Sequence, residues 1–139
     1  TWEELNKPEA KIVVDIGSNQ DQFATRALPK ATISRLESSG AATMSVQTGR
    51  SDCQVLVVLL SQPLVAKRPD VGTVYVPTPV ETANTNVGMR KEANKDFENA
   101  VNEWLDEARS KGEIQSVVLK NMEKLAGVKA DAFPKEVKF

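Results

Sequence analysis

The spacing of apolar residues along this chain changes near residue 90. Before that point, short β-branched runs alternate with segments whose apolar residues recur three or four positions apart; after it, a helical period alone continues to about residue 125. The first run, residues 11–16, reads as a strand that stops at Gly17. Polar Ser18, Asn19 and Gln20 follow and lead into a helix from about residue 20 to 28, with Phe23, Ala27 and Leu28 on one face and Pro29 as its stop. Residues 31–36 read as a second strand. Ser38-Ser39-Gly40 then supplies a turn and a cap for a helix over about 41–47, with Gly49 in the C-cap place. Residues 53–59 form an apolar run without alternation, as expected of a central strand of a parallel sheet. A short helix over about 62–66, with Pro63 in its first turn, a fourth strand at 73–76 and a candidate fifth at 85–90 complete this part.

The β-α-β-α-β-α-β order over residues 11–76 predicts an α/β fold: a parallel sheet of about four to five strands with flanking helices, followed by two C-terminal helices. The first of these helices, 95–111, carries Phe97, Val101, Trp104, Leu105 and Ala108 on one stripe and ends at Gly112. The second, about 113–125, carries Ile114, Val117, Val118 and Met122, and the tail 126–139, with Pro134 and Phe139, reads as irregular. Ahead of the sheet, Thr1 stands three residues before Glu4, the spacing of a capping box, and Pro8 ends that turn.

Composition narrows the chemistry. The 139 residues suffice for one domain with a core, and 18 basic residues balance 19 acidic ones. No basic stripe points to nucleic acid, and no apolar run approaches membrane-spanning length. Neither the charged n-region nor the apolar h-region of a signal peptide is read in these residues. Histidine is absent, which excludes His-based triads and His metal ligands. Cys53 is the single cysteine; at the head of an apolar run it reads as a buried, unreactive thiol, and no cysteine zinc site can form. Asp15, Glu81, Asp96 and Asp106 are scattered, with nothing to pair them for acid/base work. No catalytic group, metal or cofactor is therefore assigned.

The candidate site is Gly17-Ser18-Asn19-Gln20. A strand-turn-helix start aims backbone N–H groups and the positive end of a helix dipole at one place, which suits a carboxylate or another small anion. In parallel sheets, ligands bind beyond the carboxyl ends of the strands, where this turn lies. Ser and Asn are also preferred helix caps, so a capping role and a binding role are both open. Arg50 and Asp52 read as a solvated turn before a buried strand.

Five strings in order, residues 11–23, then Leu28-Pro29-Lys30-Ala31, Gly49-Arg50-Ser51-Asp52-Cys53, Gly88-Met89-Arg90-Lys91, and Asn102-Glu103-Trp104-Leu105 with Gly112, make residues 1–125 resemble the family 3, amino-acid-type periplasmic solute-binding proteins of ABC importers. The resemblance implies the type II binding-protein fold, truncated to lobe two with its return hinge strand (residues 1–91) and the closing helices and tail (92–139). It implies a substrate-binding component located in the periplasm, taking a small anionic, carboxylate-bearing solute without chemistry, and meeting an ABC permease through the full-length receptor. Gly17, Ser18 and Asn19 match the family's carboxylate-binding turn, and Gln20 follows them in the candidate site. Val57 stands where receptors for α-amino acids often place an aspartate for the ammonium, which favours a solute without that group. Two alternatives stay open: a dehydratase-like enzyme on the same fold, and a self-associating module, for instance a homodimer exchanging residues 95–125.

Overall fold

Strand β1 (Lys11–Asp15) contains three consecutive β-branched residues, Ile12, Val13 and Val14, all with 0% of their surface exposed. Successive side chains on a strand point to opposite faces, so this burial requires cover on both. In the computed structural model, which describes residues 1–133, 135 and 137, β1 is the middle of a three-stranded parallel sheet, with β2 (Thr32–Leu36) on one side and β3 (Cys53–Gln54) on the other. Ile12 pairs with Ile33 of β2 and with Cys53 of β3. The fold is α/β with a parallel sheet, of the class the alternation of periods predicts.

Helix α1 (Trp2–Leu5) begins with the capping box: Thr1 Oγ1 accepts from the Glu4 N–H, and the Glu4 carboxylate returns to the Thr1 amine at 2.6 Å. Helix α2 (Asn19–Ala27) is capped by Ser18, and helix α3 (Ser39–Gln47) by Ser38. Ala10, Ile12, Val14, Ala24 and Leu28 form the core on one face of β1, enclosed by Trp2, Leu5, Ile33, Cys53 and Val55. Val13 and Asp15 have the opposite parity and meet α3, where Asp15 Oδ2 accepts from the Ser39 hydroxyl.

The strand count differs from the expectation of four to five. The run after Gln54 is not a continuing strand, because residues Val58–Lys67 form helix α4 with Pro63 inside it. A continuous apolar run carries no period, so helix and strand cannot be separated there by pattern alone. The central strand is β1, and β3 is a short edge. Residues 73–76 and 85–90 form no strand. The first follows Gly72, whose φ is 135°, and leads into Pro77, a poor setting for a ladder.

The chain separates into two compact units, Thr1–Glu81 and Thr82–Phe139. The second is built on helix α5 (Asp96–Ser110) and helix α6 (Glu113–Ala126), joined at Gly112, which holds a left-handed φ of 70°. Ala108, Val128 and Phe133 are its buried apolar residues. The tail expected to be irregular contains a short 3-10 turn, Ala130–Ala132; its Pro134, Glu136, Lys138 and Phe139 lie outside the described residues.

Candidate functional site

Beyond Asp15 the chain must turn from the sheet into α2 within three residues. Gly17 makes this possible with φ at +72°, a region that costs other L-residues about 1–2 kcal/mol. Ser18 is the N-cap of α2, with φ −74° and ψ 167°. Its hydroxyl donates to the Asp15 carbonyl at 2.7 Å and accepts from the Asp21 N–H at 3.1 Å. The Gly17 N–H is also taken, by Asp21 Oδ2 at 3.0 Å. The capping role of Ser18 is thus realised. The donors left at this helix start are the N–H groups of Asn19 and Gln20, which have no acceptor among the described residues. The structure brings the four predicted residues together at the carboxyl end of β1 and divides their labour: Gly17 and Ser18 build the turn, and Asn19 and Gln20 hold its open donors.

Asp21 is the residue that sequence reasoning missed. Its nearly buried carboxylate accepts from Gly17, from Arg35 Nε at 2.8 Å and from Thr25 Oγ1 at 3.2 Å. The hydrogen bond from the Gly17 N–H, aided by the Arg35 guanidinium, holds this carboxyl below the usual aspartate range despite desolvation. Arg35 pairs with Asp21 and so balances its charge beside the open N–H groups. A signal was available: Asp21 follows Ser18 by three residues, the spacing of a cap with an acidic partner.

Asp15, treated above as one of several scattered carboxylates, lies at the same end of the sheet. One oxygen accepts from Ser39; the other, Oδ1, is buried without a hydrogen-bond partner. Arg50 and Asp52 lie at the opposite end. Asp52 accepts from the Lys11 N–H at 2.8 Å and donates its own N–H to the Lys11 carbonyl at 2.7 Å, stapling the starts of β1 and β3. Arg50 Nε reaches Thr48 Oγ1 at 3.1 Å. Cys53 is half-buried, and desolvation followed by the nearby Asp52 charge pushes its thiol pKa up, which disfavours the reactive thiolate. No group of three or more Cys, Asp and Glu side chains suited to a metal ion occurs among the described residues. None of the described helices is long and apolar enough to cross a membrane.

Solved structures are similar to this chain in fold. An ancestral amino-acid-binding protein, described as a precursor of cyclohexadienyl dehydratase, superposes with a TM-score of 0.58 and 28% identity over 91% of this chain and 51% of its own. An ancestral cationic amino acid solute-binding protein gives 0.55 and 25% over 86% of this chain and 50% of its own. An ancestral cyclohexadienyl dehydratase gives 0.54 and 27% over 91% and 51%. No protein-family profile matches the chain, and no curated protein matches it by sequence. The chain is thus related to the amino-acid-type solute-binding proteins, as its sequence strings indicate, and it spans about half the length of those it matches.

Proposed function

We propose that this chain is the solute-binding half of an importer's receptor, working in the periplasm with an ABC permease, and that it holds a small carboxylate without transforming it. The observation that carries the reading is the pair of open N–H groups on Asn19 and Gln20 beyond the carboxyl end of β1, in a fold whose relatives include amino-acid-binding proteins. Gly17 shapes the turn, Ser18 fixes the helix axis, and Asp21 with Arg35 forms a neutral support behind it. A carboxylate on two backbone donors is stabilised by the helix dipole as well as by the hydrogen bonds. One similar structure is that of a dehydratase, yet this half contributes no histidine for proton transfer. Binding without catalysis is therefore the reading this half favours.

The test removes one donor without disturbing the helix. Proline is tolerated at the first position of a helix, and Ser18 already has the extended backbone that a following proline requires. Asn19→Pro should weaken the acetate-induced shift of the Gln20 amide in NMR titrations while leaving the helical circular dichroism unchanged. Equal acetate affinity in Asn19→Pro and the parent chain would remove the reading.

A second reading, self-association, is favoured by α5. Phe97 is 71% exposed and Trp104 59% exposed, seven residues apart and therefore on one stripe. Sedimentation velocity tests it: a dimer that dissociates in Trp104→Glu supports it, and a monomer at every concentration removes it.

A further inference from the structure

We propose that the outer edge of β2, with the groove between β2 and α3, binds an extended segment of a partner protein as an added strand, and that this segment carries an aliphatic residue two positions before an acidic one. The proposal is independent of the Asn19 and Gln20 donors.

The edge is open. β2 is an outermost strand of the sheet and pairs with β1 alone. The Thr32 N–H donates to the Ala10 carbonyl at 2.9 Å, and the Leu36 carbonyl accepts from the Ile16 N–H at 2.9 Å. Thr32, Ser34 and Leu36 therefore turn their backbone groups toward β1, and the alternating residues Ile33 and Arg35 turn theirs outward, where they have no partner among the described residues. Such an edge is a template for another strand, and sheets commonly blunt it with proline, lysine or a bulge. β2, Thr-Ile-Ser-Arg-Leu, has neither proline nor lysine, and its register with β1 runs without a bulge. Its single charge, on Arg35, is drawn aside to Asp21.

The side chains beside this edge select what is added. Ile33 packs on the core, so alternation puts Ser34 and Leu36 on the face of α3. There they line a groove of about 540 Å³ together with Ala41, Met44, Ser45 and Arg50. The two ends of the groove differ. α3 starts at the carboxyl end of the sheet, where Ser39 meets Asp15, and finishes at the other, where the Arg50 N–H donates to the Ser45 carbonyl at 2.9 Å. Leu36, Ala41 and the half-exposed Met44 thus make an apolar end, and Ser34, Ser45 and Arg50 a polar one. Arg50 donates through Nε to Thr48, and its terminal nitrogens meet no acid among the described residues. Exposed Glu37, next to Leu36, gives the apolar end a negative charge, so an incoming acid is drawn to the Arg50 end.

Leu36 and Ser34 are two residues apart, about 6.8 Å along a strand, which is also the repeat of same-face side chains on an added strand. In a segment antiparallel to β2, an aliphatic residue level with Leu36 fills the apolar end, and the residue two positions on brings its carboxylate to Arg50. Backbone bonds to Ile33 and Arg35 supply affinity, and the alternate side chains supply selection. A second copy of β2 fits less well, because residues 32–36 contain no acid and leave Arg50 unpaired.

Nuclear magnetic resonance on the full chain, labelled on backbone amides and methionine methyls, tests this with the blocked pentapeptide Thr-Leu-Thr-Glu-Thr. The Ile33 and Arg35 amides and the Met44 methyl should shift together on titration. Replacing the peptide's glutamate by glutamine should weaken binding about three- to tenfold at low salt. In Arg50→Gln, a change at an exposed residue outside the core, the two peptides should bind alike. Equal binding of the two peptides to the parent chain, or Ile33 and Arg35 amides unmoved by either, would overturn the proposal. So would amides that shift with protein concentration and not with peptide, an outcome that would assign this edge to a second copy of the chain.

Discussion

Gly17 and Asp21 are the two residues on which the turn depends, and they fail in different ways. A Cβ at Gly17 would meet nothing within 4 Å, so Gly17→Ala tests backbone strain alone. It should destabilise the chain by about 1 kcal/mol, read as a lower urea midpoint with an unchanged slope. Asp21 acts through charge. Its folded-state pKa is lowered, so its contribution is fully present above the unfolded value near pH 4 and is lost as the pH falls through the folded value. Asp21→Asn should therefore lower the unfolding midpoint at neutral pH, and the gap between variant and parent should narrow as the pH falls below that unfolded value. A constant gap from neutral to acid pH would show that the Asp21 charge does not stabilise this turn. Gly17 was legible from sequence because only a turn explains a glycine ending a β-branched run. The partnership of Asp21 with Arg35 spans fourteen positions and depends on β2 lying beside β1, which no local pattern encodes.

Elements with a period were readable, and those without one were not. The boundaries of α2, α3, α5 and α6 fall within two residues of expectation, because polar caps and glycine stops mark their ends. The start of α4 was misplaced because residues 55–60 are apolar throughout and because Pro63 suggests a first turn, whereas it is the sixth residue of the helix. The strands expected at 73–76 and 85–90, the latter also as the return hinge strand of the resemblance, do not form, since a strand exists only if a neighbouring edge receives it. The structure makes a clear claim at α4: the Ser61 N–H donates to the Val57 carbonyl at 3.0 Å, a helical bond. Since Val57 caps α4 without a side-chain bond, Val57→Asp should stabilise the chain by about 0.5–2 kcal/mol and raise amide protection through residue 61. Faster exchange at Ser61 in Val57→Asp would contradict the helix start at Val58.

At the scale of the whole chain, the core that positions the candidate site lies within the first unit. Ala10, Ile12, Val14, Ala24 and Leu28 all precede residue 81, as do the residues enclosing them. The end of this unit is tied to its beginning: Trp2 Nε1 donates to the Pro79 carbonyl at 2.8 Å, Trp2 meets Phe23 edge to face at 4.6 Å, and Arg26 pairs with Glu81 at 3.3 Å. Residues 82–95 contain neither helix nor strand and are exposed throughout. Exposed backbone free of secondary structure is where proteases cut first, so trypsin should cleave after Arg90, Lys91 or Lys95 before it reaches Arg26 or Lys67. The large fragment should keep a cooperative unfolding transition, because it retains every core contact of the sheet. The fragment carrying α5 and α6 should unfold with little cooperativity. Two helices of this length with few buried apolar residues have little to offset their conformational entropy. Early cleavage within residues 11–67, or a sharp cooperative transition in the C-terminal fragment, would mean that the stability of the chain is distributed differently from its core.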